Sequence, residues 1–99
     1  MNNNILLTAV GGDLSCSILK CLKESGLLLK VIGTDVNSNI AGKWLVDKFI
    51  ISPEAVNEDE YKKFISDIYK EEEVSIIIPA SESEVMFFQS HRDYFDCKN

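Results

Sequence analysis

Glycine and polar residues follow three short apolar runs of the sequence, and they have the clearest chemical potential. Each apolar run is typical of a strand that is buried on both faces. Ligands of open parallel sheets bind outside the carboxyl ends of the strands, so the residues that follow these runs are expected to share one crevice. The candidate ligand-binding residues are Gly11, Gly12, Asp13, Asp35, Ser81 and Glu82. No nucleophile stands beside a base in this pattern, so no catalytic residue is predicted.

The glycine turn at residues 11–13 follows the first predicted strand and opens a helix, which is where a dinucleotide-binding motif would lie. That motif requires Gly-x-Gly-x-x-Gly, whereas residues 11–16 read Gly-Gly-Asp-Leu-Ser-Cys and lack the third glycine. Asp13 would also place a carboxylate at the helix N-terminus, where it competes with a pyrophosphate for the amide donors. The sequence therefore disfavours NAD or FAD. The two glycines are interpreted either as a tight turn or as room for a ligand near the backbone.

Asp35 and Ser81 each allow two interpretations. Asp35 ends the second apolar run, where its carboxylate could cap the loop around Asn37 or accept a hydrogen bond from a ligand in the crevice. Ser81 stands three residues before Glu84, a spacing that predicts a capping box at the start of a helix. The cap alone accounts for Ser81, and a ligand contact through Ser81 and Glu82 is the second interpretation.

The composition is that of a single folded domain with an acidic balance. Its 99 residues are 45% hydrophobic and 26% charged, and the formal net charge is −6. That charge opposes broad binding to nucleic acid or to an anionic membrane. One histidine and three cysteines without a Cys-x-x-Cys motif do not make a usual zinc site, so no metal is predicted. Because no basic leader and no run of about 20 apolar residues is visible, we expect a cytoplasmic protein with free thiols.

Strands and helices are predicted to alternate along the chain. The apolar runs predict strands at 5–10, 28–34, 48–51 and 74–78. Helices are predicted after Asp13 as N-cap, at 40–46, after Asn57 in a capping box with Glu60, and after Ser81. The helix after Asn57 has the clearest apolar face, formed by Tyr61, Phe64, Ile65, Ile68 and Tyr69. Right-handed crossovers between such strands predict a three-layer α/β/α, Rossmann-like fold around a parallel sheet.

Several short motifs, in this order and spacing, resemble the N-terminal pre-ATP-grasp domain of ATP-grasp ligases. They are Ile5-Leu-Leu-Thr-Ala-Val-Gly-Gly, Val31-Ile-Gly-Thr-Asp, Ala41-Gly, Val46-Asp-Lys-Phe followed by Pro53, and Ile76-Ile-Ile-Pro-Ala-Ser-Glu. The resemblance runs from about Ile5 to Phe95, and it is greatest to the carbamoyl-phosphate synthase large-subunit-like group. It implies at least four parallel strands in the spatial order 3-2-1-4, with residues 1–99 as one pre-ATP-grasp domain of a longer ligase.

The resemblance also implies different roles for this domain and for the later domains of the enzyme. ATP and magnesium would sit between later domains of the full-length enzyme, and this chain would hold no cofactor and no catalytic residue of its own. Gly11 and Gly12 with the Asp13 turn, Asp35, and Ser81 with Glu82 would form a wall of the site for a small carboxylate or amine substrate. The expected partner is the ATP-grasp domain that follows. The alternative is a free-standing Rossmann-like module that binds a small ligand or a partner without catalysis.

Some aromatic side chains are expected to remain on the surface, because nine aromatic residues are difficult to bury in a 99-residue domain with four strands. The residues expected to form this apolar patch are Trp44, Phe87, Tyr94 and Phe95. Contiguous exposed apolar patches usually mark interfaces. We therefore expect the patch to contact the ATP-grasp domain, or a second copy of the chain in a homo-oligomer.

Overall fold

The four predicted strands form one parallel sheet in the computed structural model, which describes residues 3–92 and 94. The strands are β1 (Asn4–Leu7), β2 (Lys30–Asp35), β3 (Lys48–Ile51) and β4 (Ile76–Ile78). The helices are α1 (Asp13–Glu24), α2 (Glu58–Glu71) and α3 (Glu82–Ser90), and a short 3-10 helix covers Ala41–Trp44. The strand order β3-β2-β1-β4, with every pair parallel, confirms the predicted order and the Rossmann-like α/β fold.

Two apolar clusters pack the helices against opposite faces of the sheet. On one face Leu6 of β1 packs with Tyr61 of α2 and Phe87 of α3. On the other face Leu7 packs with Leu19 of α1. Successive side chains of a strand point to opposite faces, so a strand covered on both faces is apolar at every position. The two clusters are the core of the predicted three-layer arrangement.

Two glycines allow the segments around the β1–α1 turn to pack closely. A Cβ at Gly33 would lie 2.7 Å from Val46 Cγ1 and 2.9 Å from Val10 Cγ1. A Cβ at Gly42, in the 3-10 helix, would overlap the carbonyl oxygen of Val10. No side chain fits at either position without a shift of its neighbours, so both glycines are required for space.

The strand ends differ from the prediction where the backbone turns. β1 ends at Leu7 rather than at residue 10, because Ala9 adopts a left-handed conformation with φ of 53°. β2 begins at Lys30 rather than at residue 28, and Leu28 before it is 91% exposed. β4 covers only Ile76–Ile78 of the predicted 74–78, whereas β3 has the predicted bounds.

Helix starts were predicted with mixed success. Asp13 as N-cap is wrong, since Gly12 is the N-cap and Asp13 is the first residue of α1. Residues 40–46 do contain a short helix, which is the 3-10 helix at Ala41–Trp44. Asn57 does precede α2, but its side chain makes no capping hydrogen bond, so the capping box with Glu60 is not formed. The predicted role of Ser81 as the N-cap of α3 is confirmed, because its side chain accepts a hydrogen bond from the Glu84 backbone N–H.

The apolar face predicted for α2 is correct. Tyr61, Ile65 and Ile68 are buried, while Phe64 and Tyr69 are partly buried and pack against the same cluster. An i, i+3, i+4, i+7 pattern places these side chains on one face of a helix, which here lies against the sheet.

The predicted aromatic patch is not formed as expected. Phe87 is wrong as a member, because it is only 3% exposed and packs edge to face against the Tyr61 ring. Trp44 is 79% exposed, with Lys43 Nζ 5.1 Å from the centroid of its ring. Tyr94 is partly buried, and Phe95 lies outside the described residues.

Two further expectations concern the thiols and the membrane. Cys16 and Cys21 are exposed free thiols, and Cys97 lies outside the described residues. Within residues 3–92 and 94, none of the helices has both the length and the apolar character needed to cross a bilayer.

Candidate functional site

A cleft lies at the carboxyl edge of the sheet, between the ends of the strands, the loop before α2 and the first turn of α3. Its volume is about 290 Å³. Its walls consist of Ala9, Asp35, Val36, Ser52, Pro53, Glu54, Ala55, Val56, Ser81, Ser83 and Glu84. Three of these residues are acidic, three carry hydroxyls and none is basic. This edge is where open α/β sheets bind their ligands.

Asp35 joins the two loops that border one side of the cleft. Its Oδ2 accepts a hydrogen bond from the Gly11 backbone N–H at 2.9 Å, and its Oδ1 accepts one from the Asn37 backbone N–H at 2.9 Å. The residue also lines the cleft. The loop-capping interpretation is therefore confirmed, and each carboxylate oxygen keeps a second lone pair for a ligand.

The glycine turn is held by hydrogen bonds within the protein. The Gly11 N–H donates to Asp35, and the Gly12 N–H donates to the Ala9 carbonyl oxygen at 3.0 Å. Ser15 Oγ lies 2.9 Å from the Thr8 carbonyl oxygen and 2.8 Å from that of Ala9, which ties α1 to the turn. The amides of both glycines already have acceptors, so the turn offers neither of them to an anionic ligand.

The two glycines of the turn differ in the space around them. A Cβ at Gly11 would lie 3.0 Å from Ile40 Cγ2 and 3.1 Å from Asp35 Oδ2, so a side chain would disturb the Asp35 contact. A Cβ at Gly12 would come no closer than 3.5 Å to the Ala9 carbonyl oxygen, which is ordinary contact. The tight-turn interpretation thus accounts for Gly11, while Gly12 is a helix cap with room beside it.

A buried network of three side chains lies on the α3 side of the cleft. The Tyr61 hydroxyl donates to Glu84 Oε2, and Ser81 Oγ donates to Glu84 Oε1 at 2.7 Å. Glu84 is 8% exposed and still lines the cleft. Burial raises the pKa of the Tyr61 hydroxyl, and the hydrogen bond and negative charge of Glu84 raise it further. Tyr61 therefore remains a neutral donor to Glu84.

A second cavity continues the cleft along α3. Its volume is also about 290 Å³, and it shares Ala55, Val56 and Ser83 with the first cavity. The remaining walls are Glu58, Met86, Phe87 and Ser90. The second cavity thus adds one acid, Glu58, and the apolar side chains of Met86 and Phe87 to the cleft.

The structure brings together only part of the predicted set. Asp35 and Ser81 line the cleft, and Gly11 is bonded to Asp35. Gly12, Asp13 and Glu82 are exposed and do not line it. In place of Glu82, the following residues Ser83 and Glu84 contribute to the wall.

Glu84 is the main residue that the sequence analysis missed as a site residue. The Ser81–Glu84 spacing explained it fully as a capping box, so its second role was hidden. The signal that could have revealed it is an acid in the first turn of an apolar helix that follows a strand end, since Glu84 lies six residues after Ile78. Glu54 and Ser52, in the loop after β3, were missed because a loop's path cannot be read from residue spacing.

Within the part of the chain that the structure describes, the glycine turn and the cleft do not fit a nucleoside triphosphate or its metal ion. Asp13 places a carboxylate in the first turn of α1, and no basic side chain is among those described as lining the cleft. No group of three or more His, Cys, Asp or Glu side chains in the described part of the chain could hold a metal ion.

Comparisons with known proteins agree with this architecture. The sequence model described as "PylC-like, N-terminal domain" matches residues 5–99. No curated protein sequence matches the chain. Among solved structures, a dTDP-glucose 4,6-dehydratase from Bacillus anthracis str. Ames in complex with NAD superposes with a TM-score of 0.57 at 16% identity. The match covers 87% of this chain and 29% of the dehydratase, and at this identity it shows the fold alone.

Proposed function

Because the chain belongs to the PylC-like N-terminal domain family, we propose that it is the N-terminal domain of an ATP-dependent carboxylate–amine ligase of the ATP-grasp type. In this proposal the domain forms a wall of the acceptor-substrate site and has no catalytic activity by itself. The family match over residues 5–99 carries the proposal. The sequence motifs that resemble the carbamoyl-phosphate synthase large-subunit-like group support a related reaction.

The reaction assigned to the full-length protein has two steps. A carboxylate attacks the γ-phosphate of ATP, which gives an acyl phosphate and ADP. An amine then attacks the acyl carbon, inorganic phosphate leaves, and the amine nitrogen loses a proton. ATP and magnesium would be held by the ATP-grasp region, since no basic side chain is described as lining the cleft and no metal-binding group of His, Cys, Asp or Glu is found among residues 3–92 and 94. The part of the present chain is to bind and orient one substrate in the cleft beside Asp35 and Glu84.

The cleft has the properties that this role requires. It lies outside the carboxyl ends of the strands, and it combines polar groups with apolar walls. Asp35 is fixed by two backbone amides, and Glu84 is fixed by two hydroxyls. Side chains held in this way can orient a small molecule at little entropic cost.

The test is a ligation assay on the protein that the natural reading frame encodes, with MgATP, candidate carboxylates and candidate amines. Ser83→Trp should fill the cleft where its two parts meet, because exposed Ser83 lines both. We expect it to lower ligation at least tenfold. Ser17→Trp, at an exposed position of α1, is the matched control and should change ligation less than twofold. Equal effects of the two variants would contradict the assignment of the cleft.

A second experiment uses the 99-residue chain alone and tests whether it binds MgATP. Calorimetric titration with MgATP should show no binding, because both glycine amides of the turn are already bonded. A micromolar dissociation constant would overturn the assignment of ATP to other domains. A reading frame that ends at Asn99 would instead favour the free-standing binding module.

A further inference from the structure

An apolar groove lies at the edge of the sheet opposite the cleft, on the face that α1 covers. Its volume is about 400 Å³, and it runs between the end of α1, the start of β2 and the 3-10 helix. Most of its walls are apolar, and Lys23 and Asp47 are the two charged residues described among them. Val31, near the start of β2, and Asp47, directly before β3, both line it. The groove therefore lies at the amino end of β2 and β3.

Large apolar side chains of this groove remain exposed to solvent. Leu27 is 67% exposed, Trp44 is 79% exposed and Leu45 is 43% exposed, and all three line the groove. Leu28, which follows Leu27 in the chain, is 91% exposed. A single exposed leucine is ordinary, but several around one groove together with a tryptophan are typical of an interface. We call Leu27, Leu28, Trp44 and Leu45 the Trp44 surface.

The area of the Trp44 surface is sufficient for contact between two folded proteins. The exposed fractions of its four residues correspond to roughly 500 Å² on one copy of the chain. A two-fold contact that covers the surface on both copies would bury about 1,000 Å², which is the size at which specific interfaces begin. The aliphatic part of the Lys23 side chain, beside the groove, adds to this area.

The charged residues of the groove are complementary across a two-fold contact. Lys23, in the last turn of α1, and Asp47 are both exposed. Asp47 Oδ2 accepts a hydrogen bond from the Val31 backbone N–H at 2.7 Å, but among residues 3–92 and 94 neither Lys23 nor Asp47 forms an ion pair. Every contact of a two-fold pair occurs twice, so Lys23 of each copy can pair with Asp47 of the other. Two copies would instead repel each other at the cleft, which has three acids and no described base.

We propose that the Trp44 surface binds a second copy of this chain in a two-fold homodimer. The Trp44 ring of each copy packs in the groove of the other, and two ion pairs between Lys23 and Asp47 flank the contact. The cleft of each copy stays open, because the Trp44 surface lies at the amino end of the strands and the cleft lies at their carboxyl end. The inference goes beyond the proposed function and does not rest on it.

Trp44 is the single tryptophan of the sequence, so tryptophan fluorescence reports directly on this surface. In sedimentation velocity on the 99-residue chain, from micromolar to millimolar concentration, we expect monomers at the low end and dimers at the high end. The emission of Trp44 should shift to shorter wavelength over the same range, because the ring leaves water when the dimer forms. A chain that stays monomeric throughout, or a dimer that forms without a change in the emission, would overturn the proposal.

Variants distinguish the Trp44 surface from other exposed apolar residues. Trp44→Glu should weaken the dimer at least tenfold, because a large aromatic side chain at the centre of an interface contributes much of the binding energy. Leu28→Glu, at a position that is 91% exposed, should also weaken it and keeps the test valid if Trp44→Glu is poorly folded. The matched control is Met86→Glu, at an exposed position beside the cleft, and it should change the dissociation constant less than twofold. A dimer that Met86→Glu weakens as much as Trp44→Glu does would overturn the proposal.

A second pair of variants tests the two-fold arrangement of the charges. Lys23→Glu should weaken the dimer about threefold to tenfold, and less at high salt, because it places an acid opposite Asp47 of the other copy. Lys70→Glu is the matched control, since Lys70 is exposed in the last turn of α2 as Lys23 is in the last turn of α1. Equal effects of the two lysine variants would contradict the proposed arrangement.

The protein that the natural reading frame encodes tests the choice of a second copy as the partner. We expect it to dimerise with the same response to Trp44→Glu as the 99-residue chain. If it is longer than 99 residues and stays monomeric while the 99-residue chain dimerises, a later domain covers the Trp44 surface and the assignment to a second copy is overturned.

Discussion

Glu72 at the amino end of the sheet and Glu84 at its carboxyl end are held by different means, and the difference separates stability from binding. At the amino end, Glu72 is neutralised by Lys30 and Lys48 and ties α2 to the strands. At the carboxyl end, Glu84 and Asp35 are fixed by hydroxyls and backbone amides, which orient a carboxylate without cancelling its charge. Lys30 and Lys48 thus neutralise the carboxylate that holds the fold together, whereas Asp35 and Glu84 form no ion pair among the described residues.

The carboxyl end of the sheet has two parts that also differ, the glycine turn and the α3 side of the cleft. The glycine turn looks like a nucleotide site in sequence, but the amides of both glycines are bonded within the protein, and a side chain at Gly11 would meet Ile40 and Asp35. The α3 side looks like a simple helix cap in sequence, and yet it has the buried carboxylate and the cavity. A motif therefore marks a binding site only when its donors and acceptors are left available by the rest of the chain.

The largest effect is expected at Gly42, which packs against the β1–α1 turn, the part of the carboxyl end whose amides are bonded within the protein. Gly42→Ala places a Cβ against the Val10 carbonyl oxygen, so the 3-10 helix must move away from the β1–α1 turn. We expect a loss of at least about 3 kcal/mol in the free energy of unfolding. Urea denaturation of the variant measures this loss.

Gly12→Ala is the matched control for that change. Its Cβ meets nothing closer than 3.5 Å, so the remaining cost is the weaker N-cap preference of alanine compared with glycine. It should cost about 1 kcal/mol or less. Similar midpoints for the two variants would mean that the close approach at Gly42 does not hold the turn.

Features of the fold that depend on residues close in sequence could be predicted, whereas features that depend on contacts between distant residues could not. The α2 face at Ile65 and Ile68 and the Ser81 cap follow from local periodicity and spacing, and both are confirmed. The strand order β3-β2-β1-β4, which the resemblance to pre-ATP-grasp domains implied, is confirmed as well. The end of β1 was missed because the left-handed Ala9 has no signature in an apolar run. Asp13 was misplaced by one residue because Gly12 serves as N-cap without a side chain.

The sequence indicated the edge of the sheet at which the candidate site lies, but not all of the residues that line it. Parallel topology alone places Asp35 and Ser81 at one edge of the sheet, and both line the cleft. Glu84 became a site residue through its contact with Tyr61, which is 23 positions away in sequence. Such a contact depends on how α2 and α3 pack, and no spacing within either helix reveals it.

An intermediate effect is expected from Tyr61→Phe, which removes one of the two hydroxyls that hold Glu84. The ring still packs against Phe87, so little volume is lost, but a buried carboxylate oxygen loses its donor. We expect a loss of about 1 to 3 kcal/mol in the free energy of unfolding. A double-mutant cycle with Glu84→Gln, followed by urea denaturation, isolates the coupling of the pair. A coupling energy of zero would show that the hydroxyl does not orient Glu84.

The smallest effect is expected from Glu72→Gln, at the end of the sheet where the charge is paired. The ion pairs lower the pKa of the folded Glu72 below its ordinary value of 4.5, so the carboxylate stabilises the fold above that pH. Its contribution is lost as the pH falls through the lowered pKa, because the carboxyl is then protonated in both states. Both lysines are about half exposed, so the variant should cost about 1 kcal/mol or less at pH 7. The difference between variant and parent should shrink in acid, as followed by urea denaturation at pH 7 and at pH 3, and Glu24→Gln should show no such change. A difference that stays constant between the two pH values would mean that packing, and not the charge of Glu72, closes the amino end of the sheet.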